Sequence, residues 1–219
     1  MDDDDAYKKY QKHHKWFNKL YLAESLEYNC GPCGLAPDVS GWYMVRPIYN
    51  LYGMGALAEK KWIEKGDFKN GPPGHFWCEW FEGQHWSVTY EFMVATNPWW
   101  KALSAYKAEK QGLKFTKWVR WVHLEKTPIV PRVLNDLSAV PKINVEFIGD
   151  KAIEVHLRES PDPDYDVLIP VWADTKQSEK PRGYSPNFGG YNFIEAFDDA
   201  DGYLENPRLG FWVKNYAIL

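Results

Sequence analysis

The sequence is poor in cysteine and has neither a long hydrophobic run nor a surplus of basic residues. Its 219 residues include three cysteines, an odd and small number that argues against a fold built on disulfide bonds. No stretch approaches the ~18 consecutive apolar residues that a membrane-spanning helix needs. Lys and Arg total 26 against 30 for Asp and Glu, so a general electrostatic attraction to nucleic acid is not expected. Met1 is followed by four aspartates, the opposite of a secretory signal, and we expect a cytoplasmic protein without a membrane partner.

Aromatic residues are abundant instead. They make up 17% of the chain, with 12 tryptophans and 14 tyrosines. Large rings bury much apolar area and most often belong to a core. A carbohydrate-binding surface is the other interpretation, and it depends on the tryptophan content alone.

The hydrophobic pattern predicts an α+β fold built mainly on antiparallel hairpins with a few helices. Three hairpins are predicted, pairing residues 42–48 with 56–63, 75–81 with 86–94, and 143–148 with 152–158. The predicted helices cover residues 7–28, 99–111 and 130–140, and a closing strand is predicted over 211–218. Residues 174–190, rich in Gly, Ser, Pro and Lys, are predicted to be mobile.

The third hairpin carries the residues best suited to chemistry. Glu154 and His156 are two residues apart on one strand and therefore leave the same face. Glu146 lies across the turn and can face the same volume. Two carboxylates and an imidazole at one point would suit Mg²⁺ or Mn²⁺, and Arg158 could bind a phosphate or carboxylate beside them. A polar outer face of a half-exposed sheet would give the same alternation.

The first hairpin offers groups that suit phosphate. Arg46 lies in its first strand, and Lys60 and Lys61 lie in its second. Between them, Gly53 and Gly55 would let backbone N–H groups approach phosphate oxygens closely. An ordinary hairpin turn explains the two glycines equally well.

Taken together, these motifs resemble the ATP-grasp superfamily. Residues 44–47, followed by the glycine loop, are similar to that family's strand ending in Lys-Pro and its phosphate-covering hairpin, with Arg46 at the lysine position. Residues 78–85 resemble the family's linker, which implies that Glu79 and Phe81 lie beside adenine and His85 near the ribose. The third hairpin resembles the family's metal-binding hairpin, with His156 in place of Asn.

The resemblance implies an ATP-grasp-like domain over residues 42–219, with a first lobe over 42–80 and a second over 81–219. Residues 1–41 would form an N-terminal helix and connector, without the domain that usually precedes this fold. The implied function is an ATP- and Mg²⁺- (or Mn²⁺-) dependent ligase. It would join the carboxylate of a small molecule or peptide to an amine or thiol through an acyl phosphate, with Arg46 and Arg158 stabilising the transferred group.

A non-catalytic binding or structural protein on a reduced ATP-grasp scaffold is the alternative. The exchanges at Arg46 and His156 and the missing acceptor-binding domain are compatible with it, because a fold does not guarantee an activity. The sequence also resembles uncharacterised ATP-grasp-like proteins of tailed phages, which would place the protein in the host cytoplasm.

Overall fold

The computed structural model describes residues 1–49, 57–173, 190–195 and 208–215. Two short α-helices near the N-terminus are followed by twelve β-strands in these ranges. The helices are α1 (Asp3–Lys9) and α2 (Lys19–Ser25), and 3₁₀ helices cover Gln11–Phe17, Leu124–Lys126 and Arg132–Leu137. The strands are β1 (Cys30–Pro32), β2 (Gly41–Pro47), β3 (Glu59–Ile63), β4 (His75–Glu79), β5 (His85–Met93), β6 (Trp99–Gln111), β7 (Lys114–Arg120), β8 (Lys142–Ile148), β9 (Lys151–His156), β10 (Val167–Trp172), β11 (Asn192–Glu195) and β12 (Arg208–Lys214).

The first four strands form a small antiparallel sheet in the order β1-β4-β2-β3. Arg46 and Met44 lie on one face of β2, because side chains alternate along a strand. Lys60 is directly opposite Met44 and shares that face, while Lys61 is opposite Tyr43 and lies on the other. The first predicted hairpin is therefore confirmed in its strands, β2 and β3, although Gly53 and Gly55 lie outside the described residues.

The other eight strands form a large antiparallel sheet in the order β11-β12-β10-β7-β6-β5-β8-β9. The third predicted hairpin is confirmed as β8 and β9, with Glu146 directly opposite Glu154. Just beyond that pair, Phe147 is opposite Ala152, so Ile153 is an extra residue in a β-bulge. Because β9 is the last strand in the order, it forms one edge of the large sheet.

The main core lies on one face of the large sheet and includes the N-terminal segment. Trp16, Phe17 and Leu22 are buried in the same cluster as Val145 and Val155 of the β8–β9 hairpin. The small sheet has its own clusters, one of them between α2 and β4 around Phe76. The N-terminal helices thus pack against β9 and lie next to the small sheet as well.

The α+β class is confirmed, since most of the described structure is antiparallel sheet with a few helices. The predicted helix over residues 99–111 and the second predicted hairpin are wrong. Residues 99–111 form β6, which is held on both sides by β5 and β7, so tertiary pairing overrides the helical propensity of its Ala, Lys and Glu residues. Strands β4 and β5 belong to different sheets and do not form the second predicted hairpin.

The predicted helix over residues 7–28 is replaced by α1, a 3₁₀ helix and α2. Asn18 separates the last two, because its side chain accepts the Tyr21 N–H at 2.8 Å and caps α2. The predicted helix over 130–140 is a 3₁₀ helix, Arg132–Leu137, and the closing strand is β12.

The state of the cysteines and the length of the helices bear on two expectations from the composition. Cys30, Cys33 and Cys78 are free thiols. Within the described parts of the chain, no helix is long and apolar enough to cross a membrane. The mobility predicted for residues 174–190 falls almost entirely outside the described residues.

Candidate functional site: a cluster of buried charges

A cluster of charged and imidazole side chains lies where β2 of the small sheet, the β8–β9 end of the large sheet and the N-terminal helices meet. We call it the charged cluster. Its members are Asp3, Lys19, Arg46, His85, Lys110, Glu146, Glu154, His156 and Arg158.

The strand register places the predicted metal ligands on one face. Glu146 and Glu154 are direct cross-strand partners, and side chains of such partners point to the same side of a sheet. His156 follows two residues after Glu154 and shares that face. The side chains are largely shielded, with 23% of Glu146, 14% of Glu154 and 11% of His156 exposed.

Each predicted ligand is nevertheless engaged by a protein group. Glu146 Oε2 lies 3.0 Å from His85 Nε2, and Glu154 Oε1 lies 3.0 Å from Lys19 Nζ. His156 Nδ1 lies 3.1 Å from both carboxylate oxygens of Asp3. Among the described residues, no group of three or more His, Cys, Asp or Glu side chains is arranged to hold a metal ion. The donor set in this conformation does not fit a divalent cation, and the metal site stays a prediction.

Lys110, His85 and Glu146 form a chain of hydrogen bonds across three strands. The Lys110 ammonium donates to His85 Nδ1, so the other ring nitrogen carries the proton that is donated to Glu146. Burial lowers the pKa of His85 below its ordinary value, which keeps the ring neutral. Burial opposes ionisation of Glu146, but the His85 hydrogen bond and the nearby charges of His156 and Lys19 lower its pKa to about 2.

Three cations from different elements face one another in the cluster. Arg46 on β2 lies close enough to Lys19 and Lys110 that its charge disfavours protonation of both. Partial burial is the main reason that the pKa of Lys110 falls to about 8. Burial likewise lowers the pKa of Lys19, against the opposing attraction of Glu154.

Arg46 is only partly satisfied by the protein. Its Nη2 donates to the Ile153 carbonyl at 2.7 Å, and its guanidinium lies 5.3 Å from the Phe76 ring centroid. Its Nε is buried and has no hydrogen-bond partner among the described residues. A buried N–H of this kind can donate a hydrogen bond to an anionic ligand without first breaking a bond within the protein.

Asp3 of α1 brings a carboxylate to the far end of the cluster. Its Oδ2 accepts a hydrogen bond of 2.7 Å from Arg158 Nη2, besides the contacts with His156. Burial disfavours the charged form of Asp3, but His156 and Arg158 lower its pKa well below the usual value. Burial acts against protonation of His156 in turn, yet Asp3 and Glu154 raise its pKa. Arg158 and His156 thus form a site that already binds a carboxylate.

The cluster has more positive than negative groups. Lys19, Arg46, Lys110 and Arg158 stand against three carboxylates, those of Asp3, Glu146 and Glu154. Protonation of His156 would add to that excess. An uncompensated positive charge in a shielded site favours an anionic ligand.

The remaining predicted residues that the structure describes lie outside this cluster. Lys60 shares the sheet face of Arg46, but its ammonium lies over the rings of Trp42 and Trp80, at 5.1 and 4.2 Å from their centroids. Glu79 accepts the Asn29 N–H at 3.0 Å, and Phe81 packs edge-on against Tyr28 at 4.7 Å. Lys61 donates to the Asn70 carbonyl on the opposite face.

Three members of the cluster were not predicted from the sequence. Lys19 is one of several lysines in the predicted N-terminal helix, and nothing in the local pattern distinguishes it. Lys110 was assigned to a helix that is in fact β6. Asp3 belongs to a run of four aspartates that carries no signal for a contact with the β8–β9 hairpin. The Asn18 helix cap is the one local signal that could have located the start of α2 and, with it, Lys19.

No protein-family model and no curated protein matches the sequence. Two solved structures resemble the chain at 13% sequence identity. One is assigned to the ATP-grasp superfamily, from Archaeoglobus fulgidus, with a TM-score of 0.43 over 92% of this chain and 65% of its own. The other is N5-carboxyaminoimidazole synthetase from Staphylococcus aureus, solved with ADP, with a TM-score of 0.46 over 69% of this chain and 47% of its own. This chain therefore spans less than two thirds of either protein, and its function has to be inferred from its own side chains.

Proposed function

We propose that the chain binds ATP in the charged cluster, with Arg46 and Lys110 against the phosphates. The observation that supports this is that Arg46 lies near both Lys19 and Lys110, in a cluster with more cations than carboxylates. The unpartnered Nε of Arg46 provides a ready donor for a phosphate oxygen. Adenine would lie towards Glu79 and Phe81, on the segment that joins the two sheets.

We further propose a ligase reaction on a small-molecule or peptide carboxylate. The substrate carboxylate would attack the γ-phosphorus of ATP, the bond to ADP would break, and an acyl phosphate would form. An amine or thiol would then attack the acyl carbon and release inorganic phosphate. The carboxylate class is supported by Arg158 and His156, which hold the Asp3 carboxylate here. Catalysis would consist of positioning and charge neutralisation by Arg46, Lys110 and Arg158.

Nucleotide binding can be tested at Arg46. ADP and ATP should raise the melting temperature of the parent protein, since a ligand that binds only the folded state stabilises it. Arg46→Ala should weaken nucleotide binding by about 1–3 kcal/mol, the range for charge-assisted hydrogen bonds. Arg46→Lys should keep most of the affinity because the charge remains.

The matched control is Arg132→Ala, which removes an exposed arginine from a 3₁₀ helix away from the cluster. Isothermal titration calorimetry measures the ADP affinity of the parent and of the Arg46→Ala, Arg46→Lys and Arg132→Ala variants. Equal affinities for the parent and Arg46→Ala would refute the phosphate assignment. No effect of millimolar ATP or ADP on the parent would refute nucleotide binding.

A non-catalytic binding or structural protein is the second candidate. It is favoured by the saturation of Glu146, Glu154 and His156 with protein partners, which leaves the family's usual metal ligands occupied. A protein that binds ADP but releases no phosphate from ATP with any mixture of carboxylates, amines and thiols would belong to this class. In either case we expect the protein to act in the cytoplasm, and in the host cytoplasm if a phage encodes it.

A further inference from the structure

The Lys19 ammonium contacts Glu154, one of the two carboxylates of the β8–β9 hairpin that are predicted to bind a metal ion. It is 3.0 Å from Glu154 Oε1 and close enough to Glu146 for each charge to favour ionisation of the other. The two carboxylates come from directly opposite positions on β8 and β9. Lys19 is thus the ion-pair partner of Glu154 and a nearby positive charge for Glu146, which is itself hydrogen-bonded to His85.

Lys19 is held in this place by the main chain as well as by its charge. It is the first residue of α2, and its N–H donates to the Ile48 carbonyl at 2.9 Å, beside the end of β2. The Asn18 cap fixes the start of the same helix. With 6% of its side chain exposed, the ammonium is also shielded from water. Moving it away would leave the buried Glu154 carboxylate with only His156, whose Nε2 lies 3.6 Å from the same oxygen, as a charged partner, which is unfavourable.

A divalent cation cannot share this volume with Lys19. Mg²⁺ needs oxygen ligands at about 2.0–2.1 Å in a near-octahedral arrangement, whereas one carboxylate oxygen here is already bonded to an ammonium. Arg46 adds a further positive charge on the small-sheet side. The metal would meet two like charges at short range in a poorly solvated site.

We propose that Lys19 is a built-in cation that closes the Glu146–Glu154 pair to divalent metals, so that phosphates bound in the cluster are neutralised by side chains alone. The first half of this proposal concerns the protein without any ligand. The second half rests on the proposed nucleotide function. A purely structural ion pair between α2 and β9 would have the same geometry. Only the proposal, however, predicts that removing Lys19 creates a site for a divalent cation.

The test uses Mn²⁺ alone as the probe, with free Mn²⁺ measured by electron paramagnetic resonance. The parent protein should show no binding at micromolar Mn²⁺. Lys19→Met should bind Mn²⁺ at least roughly tenfold more tightly than the parent, because it removes the ammonium from Glu154, directly opposite Glu146. Adding Glu154→Gln to that variant should abolish the gain. The control is Lys12→Met, which removes an exposed lysine of the neighbouring 3₁₀ helix and should behave like the parent.

Micromolar Mn²⁺ binding by the parent would overturn the proposal. A folded Lys19→Met protein, verified by circular dichroism, that gains no Mn²⁺ affinity would overturn it too. If Lys19→Met does not fold, Lys19→Gln is measured in its place with the same expectation, and the parent titration decides independently of either variant.

Measuring ADP binding with and without Mg²⁺ tests the role of Lys19 and the proposed nucleotide function separately. Titrating ADP into the parent with excess EDTA or with Mg²⁺ should give dissociation constants within about threefold of each other, since the neutralising charges are side chains. Loss of ADP binding in EDTA would overturn metal independence. Absence of ADP binding under both conditions would refute the proposed function, while the Mn²⁺ measurements would still decide the role of Lys19.

Discussion

At the scale of single residues, the cluster depends on charges that are far apart in the chain and are paired across elements. Asp3 is matched with His156 and Arg158, and Lys19 with Glu154. Removing one partner of such a pair leaves the other charge buried, which costs more than the pair itself contributes. The N-terminal segment is therefore tied to the β8–β9 hairpin by interactions whose strength changes with pH.

His156 should make the stability of the protein fall as pH rises. The pKa of His156 is raised in the folded state, so its contribution is fully present below the unfolded value of about 6.5 and is lost as pH rises through the folded pKa. The charged groups near it are Asp3, Glu146, Glu154 and Arg158. We expect His156→Gln to lower the free energy of unfolding by about 1–3 kcal/mol at pH 6 and by less at pH 9.

Urea unfolding at pH 6 and pH 9 measures this difference. The control is His123→Gln, because His123 is 56% exposed beside Glu125 and should change neither value appreciably. If the parent and His156→Gln lose the same stability between the two pH values, the raised pKa plays no part in holding the N-terminal segment.

At the scale of elements, the sequence was informative where local pattern and tertiary environment agree. The β8–β9 hairpin could be predicted because strict alternation surrounds a Gly149–Asp150 turn, and Gly149 has a φ of 61°, which favours glycine. Strand β6 could not, since its Ala, Lys and Glu residues favour a helix and only pairing with β5 and β7 makes it a strand.

The residues of the charged cluster likewise divide into those that local sequence pattern predicts and those that only the tertiary fold brings in. Glu146, Glu154 and His156 could be predicted because they belong to one hairpin and their spacing alone sets their face, while Arg158 follows two residues after the end of β9. Lys19 and Asp3 could not, because each meets its partners only through the folding of a distant segment onto β9. Sequence spacing has no access to contacts of that range, so the counter-ions of a predicted site are the part most easily missed.

The pairing of β11 with β12 should depend on Gly210. A Cβ there would overlap the Ile194 carbonyl and would lie 2.8 Å from Phe193 Cζ and 3.1 Å from Glu195 Cα. Because two of these obstacles are backbone, they cannot rotate away. We expect Gly210→Ala to destabilise the protein by about 1–3 kcal/mol, as overpacking does, measured by urea unfolding.

Gly41→Ala is the matched control, since a Cβ on this strand glycine would meet only Tyr43 Cε2, at 3.6 Å. It should be nearly neutral. Hydrogen exchange at residues 193–195 should accelerate in Gly210→Ala alone. Equal stability of the two alanine variants would show that β11 does not approach Gly210 as closely as described.

At the scale of the whole molecule, the two sheets and the N-terminal segment form a continuous unit within the described residues. Trp16, Phe17 and Leu22 belong to the core of the large sheet, while α2 also packs on the small sheet through Ala23. Arg46 joins the two sheets directly through the Ile153 carbonyl. Residues of the N-terminal segment, which was predicted to form a helix and connector, thus belong to the hydrophobic clusters of both sheets.

The position of β9 at the edge of the large sheet has a consequence for self-association. An open edge strand presents unpaired backbone groups that can recruit a strand from another molecule. Here the bulge at Ile153 interrupts the regular edge, Arg46 donates a hydrogen bond to the Ile153 carbonyl, and α2 and the Gln11–Phe17 helix pack against the strand. These features hinder the pairing of β9 with a strand from another molecule.

Deleting residues 1–25 should therefore produce soluble oligomers or fibrils that bind thioflavin T, because it uncovers β9. Deleting residues 1–10 should not, since the Gln11–Phe17 helix and α2 would stay in place over the strand. Light scattering coupled to size-exclusion chromatography compares both with the parent. If the longer deletion elutes and scatters like the parent, the N-terminal segment is not needed to protect β9, and the bulge with Arg46 is sufficient to keep neighbouring molecules from joining their sheets edge to edge.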